Sequence, residues 1–379
     1  MTTLSDLKLD PAQHQQIKDM RVMIVSDAAP ERNGVGAYYQ DLIQYMQPEV
    51  ADLAIISPII REDGSWEGGI NVPLPGDTTQ KFLIPNFFKI SKQMKDFKPD
   101  VVIVPTPGLI GLAGAYLGQK QGAIVLHGFH TWFEALADLY WGKIEGALNR
   151  GYFWVSNKLL FRWSDVVVAN SDEMVKIADD FGSKKSYRVG TPVAYQFINT
   201  PPPAAVTQVK KVLFAGRLAA EKNLQAIIDA ALSQPTLQFS VSGDGPERKL
   251  IEKAAQELPN VTYLGWLSRE QLMAQIDQHD CLVLPSHVES FGTIALESMA
   301  RGRVTVVSRN CGICQWPDLN KGLFIIEPHS SLSDMLASLQ NIDAKLIKQK
   351  TSEGRSAANA LNDWSMGMWY SLLGSLRRS

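Results

Sequence analysis

Two carboxylates flank a glycine in the stretch Glu289-Ser290-Phe291-Gly292-Thr293-Ile294-Ala295-Leu296-Glu297, and the segments around it limit what they could do. Cys281 to Pro285 is an apolar run that predicts a buried strand, and Thr293 to Arg301 has helical composition. Gly292 therefore falls where a strand-to-helix loop meets a helix N-terminus. Free amide N–H groups and the positive end of the helix dipole suit an anion there, a phosphate above all. A carboxylate beside a phosphate is not there to bind it. Glu289 and Glu297, eight residues apart, are read instead as acceptors for hydroxyl groups. Phosphate next to hydroxyls is the chemistry of a sugar nucleotide.

Four further loops carry residues of the same kind. Asn33-Gly34-Val35-Gly36 follows a predicted strand and opens a helix, so its glycines would let backbone approach a diphosphate, although a Gly-x-Gly turn is as often only a tight connection. Gly216-Arg217-Leu218-Ala219-Ala220-Glu221-Lys222-Asn223 offers a planar guanidinium and a point charge suited to two adjoining phosphates, with Glu221 to hold either cation; its plainer reading is a solvated helix start with an ion pair. Gly243-Asp244-Gly245-Pro246 is a sharp turn whose direct role is structural, with a contact to base or ribose as the alternative. His127 in His127-Gly128-Phe129-His130 is the first polar residue after an apolar run, which places it at a strand end facing a cleft, where an imidazole serves a sugar hydroxyl or a developing charge. Cys311-Gly312-Ile313-Cys314 lacks the second ligand pair that zinc needs and reads as small loop residues; no pair of histidines has zinc-ligand spacing.

These loops need a scaffold, and the chain supplies two. Its 379 residues suffice for two cores, and 45% hydrophobic with 20% charged residues is ordinary for a globular protein. A formal charge of −2 gives no overall drive toward nucleic acid, and none is expected as a partner. Three cysteines make no disulfide framework and no N-terminal apolar segment resembles a signal peptide, so a reducing cytoplasm is the expectation. The uncharged stretch Val101 to Gly118 is cut by Pro105, Thr106, Pro107 and Gly108 into a strand and a helix.

Strands are predicted at Arg21 to Ser26, Leu53 to Ile56, Val101 to Pro105, Ala123 to Leu126 and Val166 to Ala169, separated by helical stretches; this rhythm implies parallel βαβ units. Pro201-Pro202-Pro203 and the polar residues up to Gln208 read as a linker. A second series follows at Val212 to Ala215, Phe239 to Ser242, Val261 to Leu264, Cys281 to Pro285 and Val304 to Ser308. The expected architecture is α/β: two Rossmann-like domains, 1–198 and 207–361, with parallel sheets facing an interdomain cleft and the C-terminal segment 362–379 packing back on the first.

In combination, Gly216-Arg217-Leu218 with Glu221-Lys222, Gly243-Asp244-Gly245-Pro246, Leu284-Pro285-Ser286, Glu289-Ser290-Phe291-Gly292 and Leu296-Glu297-Ser298-Met299-Ala300 resemble the C-terminal half of retaining glycosyltransferases of family 4, which have the GT-B fold. Asn33-Gly34-Val35-Gly36 and His127 fall where that family has its N-terminal diphosphate loop and its sugar-contacting histidine. The resemblance implies that Glu297 holds the ribose hydroxyls and Glu289 those of the transferred hexose. Phe291, Gly292 and Thr293 would offer backbone to the diphosphate, together with Gly34, Val35, Gly36, Gly216 and Gly243 around the donor. Arg217 and Lys222 would neutralise the leaving group and His127 would contact the sugar. It also implies a UDP- or GDP-linked donor, a lipid or glycan acceptor, no cofactor and no essential metal.

Lys98-Pro99-Asp100-Val101-Val102, Thr106-Pro107-Gly108 and His127 with the aromatic-rich segment after it are similar, more narrowly, to the sulfolipid synthase and diacylglycerol glycosyltransferase branch. Phe82 to Lys98 interleaves apolar residues with Lys89, Lys92 and Lys95, a basic amphipathic helix that either rests on an anionic membrane or covers the sheet with its lysines in water. Four positions depart from the family pattern: Asn223 in place of a glycine, Val304 in place of a proline, Cys311-Gly312 in place of a Gly-Gly pair, and Gln315 in place of an acid. Two other classes compete. A two-domain NAD-dependent oxidoreductase needs a third glycine where Ala37-Tyr38-Tyr39 stands, and a non-catalytic nucleotide-sugar-binding module would be expected to have lost some of His127, Arg217, Lys222, Glu289 and Glu297.

Overall fold

The computed structural model describes residues 10–29, 34–60, 66–67, 69–74, 77–130 and 143–376; Asn33 and the aromatic-rich segment after His130 lie outside them. Two six-stranded sheets form the scaffold, and every strand pair in them is parallel. The first contains β1 (Arg21–Val25), β2 (Asp52–Ile56), β3 (Val101–Val104), β4 (Ile124–Phe129), β5 (Val166–Ala169) and β6 (Ser186–Arg188), in the order β6-β5-β4-β3-β1-β2. The second contains β7 (Lys211–Ala215), β8 (Gln238–Ser242), β9 (Val261–Gly265), β10 (Cys281–Leu284), β11 (Val304–Ser308) and β12 (Leu323–Ile326), in the order β9-β8-β7-β10-β11-β12. Central strands such as β3 and β10 are buried throughout, as expected of parallel strands covered by helices on both faces. Strand order reverses between β1 and β3 in one sheet and between β7 and β10 in the other. In such sheets ligands bind beyond the carboxyl ends of strands at that reversal.

The chain divides into two compact units, Met1–Pro192 with Asn362–Ser379, and Val193–Leu361. Thr200 to Ala204, which includes the start of the expected linker at Pro201, is tied down within the second unit. Buried Arg301 donates to the carbonyls of Phe197, Thr200 and Pro201 and is held by both oxygens of Asp277, and Arg303 donates to the carbonyl of Ala204. In the first unit, one face of the sheet packs Tyr38, Leu42 and Met46 with Trp369 and Leu373 from the long helix Ala344–Ser375. The indole of Trp369 donates to the Tyr38 hydroxyl at 2.9 Å.

On the other face lie Ile90, Met94, Ile110 and Ala113. The amphipathic helix contributing the first two runs only from Phe87 to Phe97. Residues 82–85, expected within it, belong to the strand Asp77–Pro85, which pairs antiparallel with Gly69–Leu74, and the Asn86 side chain caps the helix. Val101 to Gly118 separates into β3 and the helix Leu109–Lys120, and among the described residues no helix is long and apolar enough to cross a membrane. That helix is capped from a distance. The Asp27 carboxylate after β1 accepts from the Thr106 hydroxyl and the amides of Ile110 and Gly111 at 2.8, 2.8 and 2.9 Å. A Cβ at Gly108 would come 2.3 Å from the Asp27 Cγ, which accounts for the glycine in Thr106-Pro107-Gly108.

Candidate active site

The second sheet reverses where β7 meets β10, and the loops leaving those two strands are the ones that carry Arg217, Lys222 and Glu289. After β7 the backbone passes through Gly216, a short 3-10 turn at Ala220–Lys222, and Asn223 at φ 55°. Asparagine is among the few residues other than glycine that tolerate this left-handed conformation, so its presence where the family has glycine preserves the turn. Its side chain also donates to the carbonyl of Pro285 at 3.1 Å, and the Glu221 carbonyl accepts from the His287 amide at 2.8 Å. The two loops are thereby joined. Lys222 and Glu289 form a direct ion pair with little exposure on either side. Burial works against the Lys222 ammonium, but Glu289, then Glu221, outweigh it and leave its pKa raised. Arg217 lies 3.6 Å from the buried Glu221.

Gly216 and Gly243 act on each other. Gly243 sits at φ 139°, and a Cβ there would fall 1.8 Å from the Gly216 carbonyl oxygen. The amide of Leu218 donates to the carbonyl of Asp244 at 3.0 Å, so the β8 turn braces the loop bearing Arg217. On the opposite side, the Glu289 carbonyl accepts from the Gly312 amide and the Phe291 carbonyl from the Ile313 amide, at 2.9 and 2.8 Å. A Cβ on Gly312 would strike the Ser290 oxygen, whereas Cys311 is buried beside it; of the family's glycine pair only the second position must be glycine here. Val304 in β11 donates its amide to the carbonyl of Asp280, a bond that a proline would forfeit.

Gly292, at φ 95°, turns the chain into the helix Thr293–Ala300, whose first amides have no intrahelical acceptors. Four residues into that helix Glu297 is only 1% exposed, and Arg269 donates to its carboxylate at 2.6 Å. Burial raises the Glu297 pKa, and Arg269 pulls it partly back. The guanidinium of Arg269 in turn stacks on the ring of Phe197, 5.3 Å from its centroid. Arg269 was not among the residues singled out from sequence. One signal was there: it is the first residue of a helix capped by Ser268, where the dipole disfavours a cation, so some other group must hold it.

In the first unit, Gly34, Val35 and Gly36 open the helix Gly34–Met46, with Gly34 exposed and Gly36 buried. His127 lies inside β4, which extends to Phe129, rather than just past a strand end; its backbone stays in register with Val104 and Val167. The ring is buried, its Nδ1 is 2.8 Å from the Val104 carbonyl, and Phe161 meets it edge-on. A carbonyl only accepts, so the proton sits on Nδ1, and burial pushes the pKa down to about 4. Nε2 is then a bare lone pair without a partner among the described residues. A neutral ring in this tautomer accepts from a hydroxyl and neither donates to it nor carries charge. His130 pairs with the Tyr39 hydroxyl at 2.8 Å instead.

A family model described as "Glycosyl transferases group 1" matches residues 199–352, and one described as "Glycosyltransferase Family 4" matches residues 32–193. A GDP-mannose-dependent alpha-mannosyltransferase of Corynebacterium glutamicum is 24% identical over 322 residues, 78% of this chain and 74% of that protein. Sulfoquinovosyl transferase SQD2 of Arabidopsis thaliana is 21% identical, over 82% of this chain and 63% of that one, so the narrower resemblance to the sulfolipid branch returns only as a distant similarity. The crystal structure of Anabaena Alr3699/HepE in complex with UDP and glucose shares the fold, with a TM-score of 0.69 at 17% identity over 94% of this chain and all of that one. With both halves matched in order and both sheets in place, the chain belongs to the group 1 glycosyltransferases and has their GT-B fold.

Proposed function

We propose that this glycosyltransferase is a retaining hexosyltransferase that takes a UDP- or GDP-linked hexose and delivers it to a hydroxyl of a membrane lipid such as diacylglycerol. The observation that carries the donor half is the partly buried Lys222–Glu289 pair, set at the β7/β10 reversal beside the start of the helix Thr293–Ala300. In this reading the diphosphate lies against that helix N-terminus and takes Lys222 and Arg217 as its counter-charges, so no metal is required. Its arrival shares Lys222 with Glu289, whose carboxylate is then free to accept from hexose hydroxyls. Glu297, fixed by Arg269, accepts from the ribose diol. The chain supplies positioning and charge stabilisation: the bond from the anomeric carbon to the diphosphate breaks as the acceptor oxygen bonds on the same face, and the acceptor's proton leaves with the diphosphate. In the first unit, the bare Nε2 of His127 offers an acceptor for a sugar hydroxyl.

Both nucleotides stay in view because a GDP-mannose-dependent enzyme and a UDP complex stand among the similar proteins. The lipid acceptor rests on the resemblance of the first half to the sulfolipid synthase and diacylglycerol glycosyltransferase branch, to which the 21% identity with a sulfoquinovosyl transferase adds distant support. The test is transfer from UDP- and GDP-hexoses to diacylglycerol in mixed micelles, with the product's anomeric configuration read by NMR. A glycolipid with the donor's configuration is expected. Inverted product would refute retention, and transfer only to soluble glycans would refute the lipid acceptor.

A further inference from the structure

We infer that one face of the first unit, built by the helices Phe87–Phe97, Leu109–Lys120 and Lys143–Trp163, docks on an anionic lipid bilayer. This deepens the reading of a lipid acceptor and rests on it for its purpose, though not for its evidence. The helices connect β2 to β3, β3 to β4 and β4 to β5, steps that all run the same way across the sheet. Right-handed crossovers therefore place them in one layer. The first packs on the second and the second on the third.

That layer stands apart in charge and brings several exposed rings together. Its three helices carry eight lysines and arginines against two carboxylates, Asp96 and Glu145, in a protein whose formal charge is −2. It also leaves large aromatic side chains in solvent. Phe88 is 90% exposed, and Phe87, Tyr116 and Trp154 are between 41% and 48% exposed. Ile84, leading into the first helix, and Val155 are exposed as well.

Cations and rings are paired. Lys120 lies over Tyr116 and Lys158 over Trp154, each 4.8 Å from the ring centroid, and Lys89, Lys92 and Lys95 are exposed on the helix that presents Phe87 and Phe88. A ring at the boundary of the acyl layer with an ammonium reaching back to the phosphates is the arrangement favoured at a membrane interface. Asn86 caps the helix start and so fixes the backbone that presents the two phenylalanines. The face has a limit: the next helix of the same layer, Asp172–Asp180, is acidic and would be repelled by anionic lipid. Charge complementarity selects an anionic bilayer over a neutral one, and the exposed rings beside the cations favour a surface with an apolar layer beneath its anionic groups. Peripheral attachment of this kind brings the enzyme to an acceptor that does not leave the membrane.

The test is co-sedimentation of the full chain with phosphatidylcholine vesicles containing or lacking phosphatidylglycerol, without any sugar donor. Binding is expected only with phosphatidylglycerol, weakening as salt rises. Each lysine near such a surface contributes about fivefold in partitioning, so Lys89→Gln, Lys92→Gln and Lys95→Gln together should lower it about a hundredfold. Phe87→Ser with Phe88→Ser should weaken binding with the charge unchanged, while Lys253→Gln, exposed in the second unit, should not. Thermal unfolding would verify that the variants fold. No partitioning of the parent chain onto anionic vesicles, or full partitioning of the triple lysine variant, would overturn the inference and leave the donor-site reading intact. Failure of sugar transfer with vesicle binding preserved would do the reverse.

Discussion

Replacing Arg269 by methionine removes the counter-charge of a carboxylate that has almost no access to water. Glu297 is 1% exposed, and Arg269 Nη1 sits 2.6 Å from its Oε1. Breaking a buried pair from one side costs about 3–5 kcal/mol, because the remaining charge is stranded. Part of that cost is avoided by protonation. Burial already holds the Glu297 pKa above its ordinary value of 4.5, with Arg269 as the opposing influence, so the variant carboxyl should titrate higher still. A carboxyl whose folded pKa exceeds its unfolded one contributes stability that is present below 4.5 and lost as pH rises through the folded value. Arg269→Met should therefore widen this loss, and its melting temperature should fall further below the parent's as pH increases from acid to neutral. A protonated Glu297 also loses one acceptor for the ribose diol. The KM for donor should rise by about 30-fold or more at neutral pH with a smaller change in kcat, and should recover toward alkaline pH, where the carboxyl ionises. Arg269→Lys should rescue part of the effect. Initial rates across pH and donor concentration give both parameters, and an unchanged donor KM with an unchanged pH profile would refute the role assigned to the pair.

Burial pushes the His127 pKa from 6.5 down to about 4, so the ring is neutral at neutral pH. His127→Ala should lower kcat/KM about a hundredfold, and the parent's pH–rate profile should show no inflection attributable to this ring near neutrality. Its stability counterpart has the opposite sign to that of Glu297: unfolding becomes easier as pH drops from 6.5 toward 4, because the unfolded chain accepts a proton that the buried ring refuses. Gly243→Ala meets the Gly216 carbonyl at 1.8 Å and an unfavourable φ together, so it should cost about 2–3 kcal/mol or more in denaturant unfolding and impair donor binding through the Arg217 loop. Asn223→Gly, which keeps the left-handed turn and loses one side-chain bond, should be far milder in the same assay.

The alternation of apolar runs and helical stretches was enough to read the parallel α/β scaffold and ten of its strands, because central strands must be apolar on both faces. Two of the four edge strands, β6 and β12, escaped notice, whereas β2 and β9 at the opposite edges were read. Ser186–Arg188 is three residues long and half exposed, and so has no apolar signature. The amphipathic helix was drawn too long because the run Phe82-Leu83-Ile84 at the end of the preceding strand, Asp77–Pro85, adds apolar residues that fit either period. Loop motifs were legible wherever glycine geometry or charge marks them, as at Gly243 and Lys222. Long-range partners were not: nothing local to Glu297 announces Arg269, and nothing near Thr106-Pro107-Gly108 announces Asp27, since both pairs are assembled only when the sheet forms. His127 illustrates the same limit from the other side, for its tautomer depends on the Val104 carbonyl of a neighbouring strand.

The central claim is that the β7/β10 reversal holds a nucleoside diphosphate through Lys222. Calorimetric titration with UDP and GDP beside UMP and GMP tests it most directly. At least one diphosphate should bind about tenfold or more tighter than its monophosphate, and Lys222→Ala should erase that difference while the monophosphate affinity stays within a fewfold. Equal binding of mono- and diphosphates by the parent chain, or an undiminished preference in Lys222→Ala, would contradict the account.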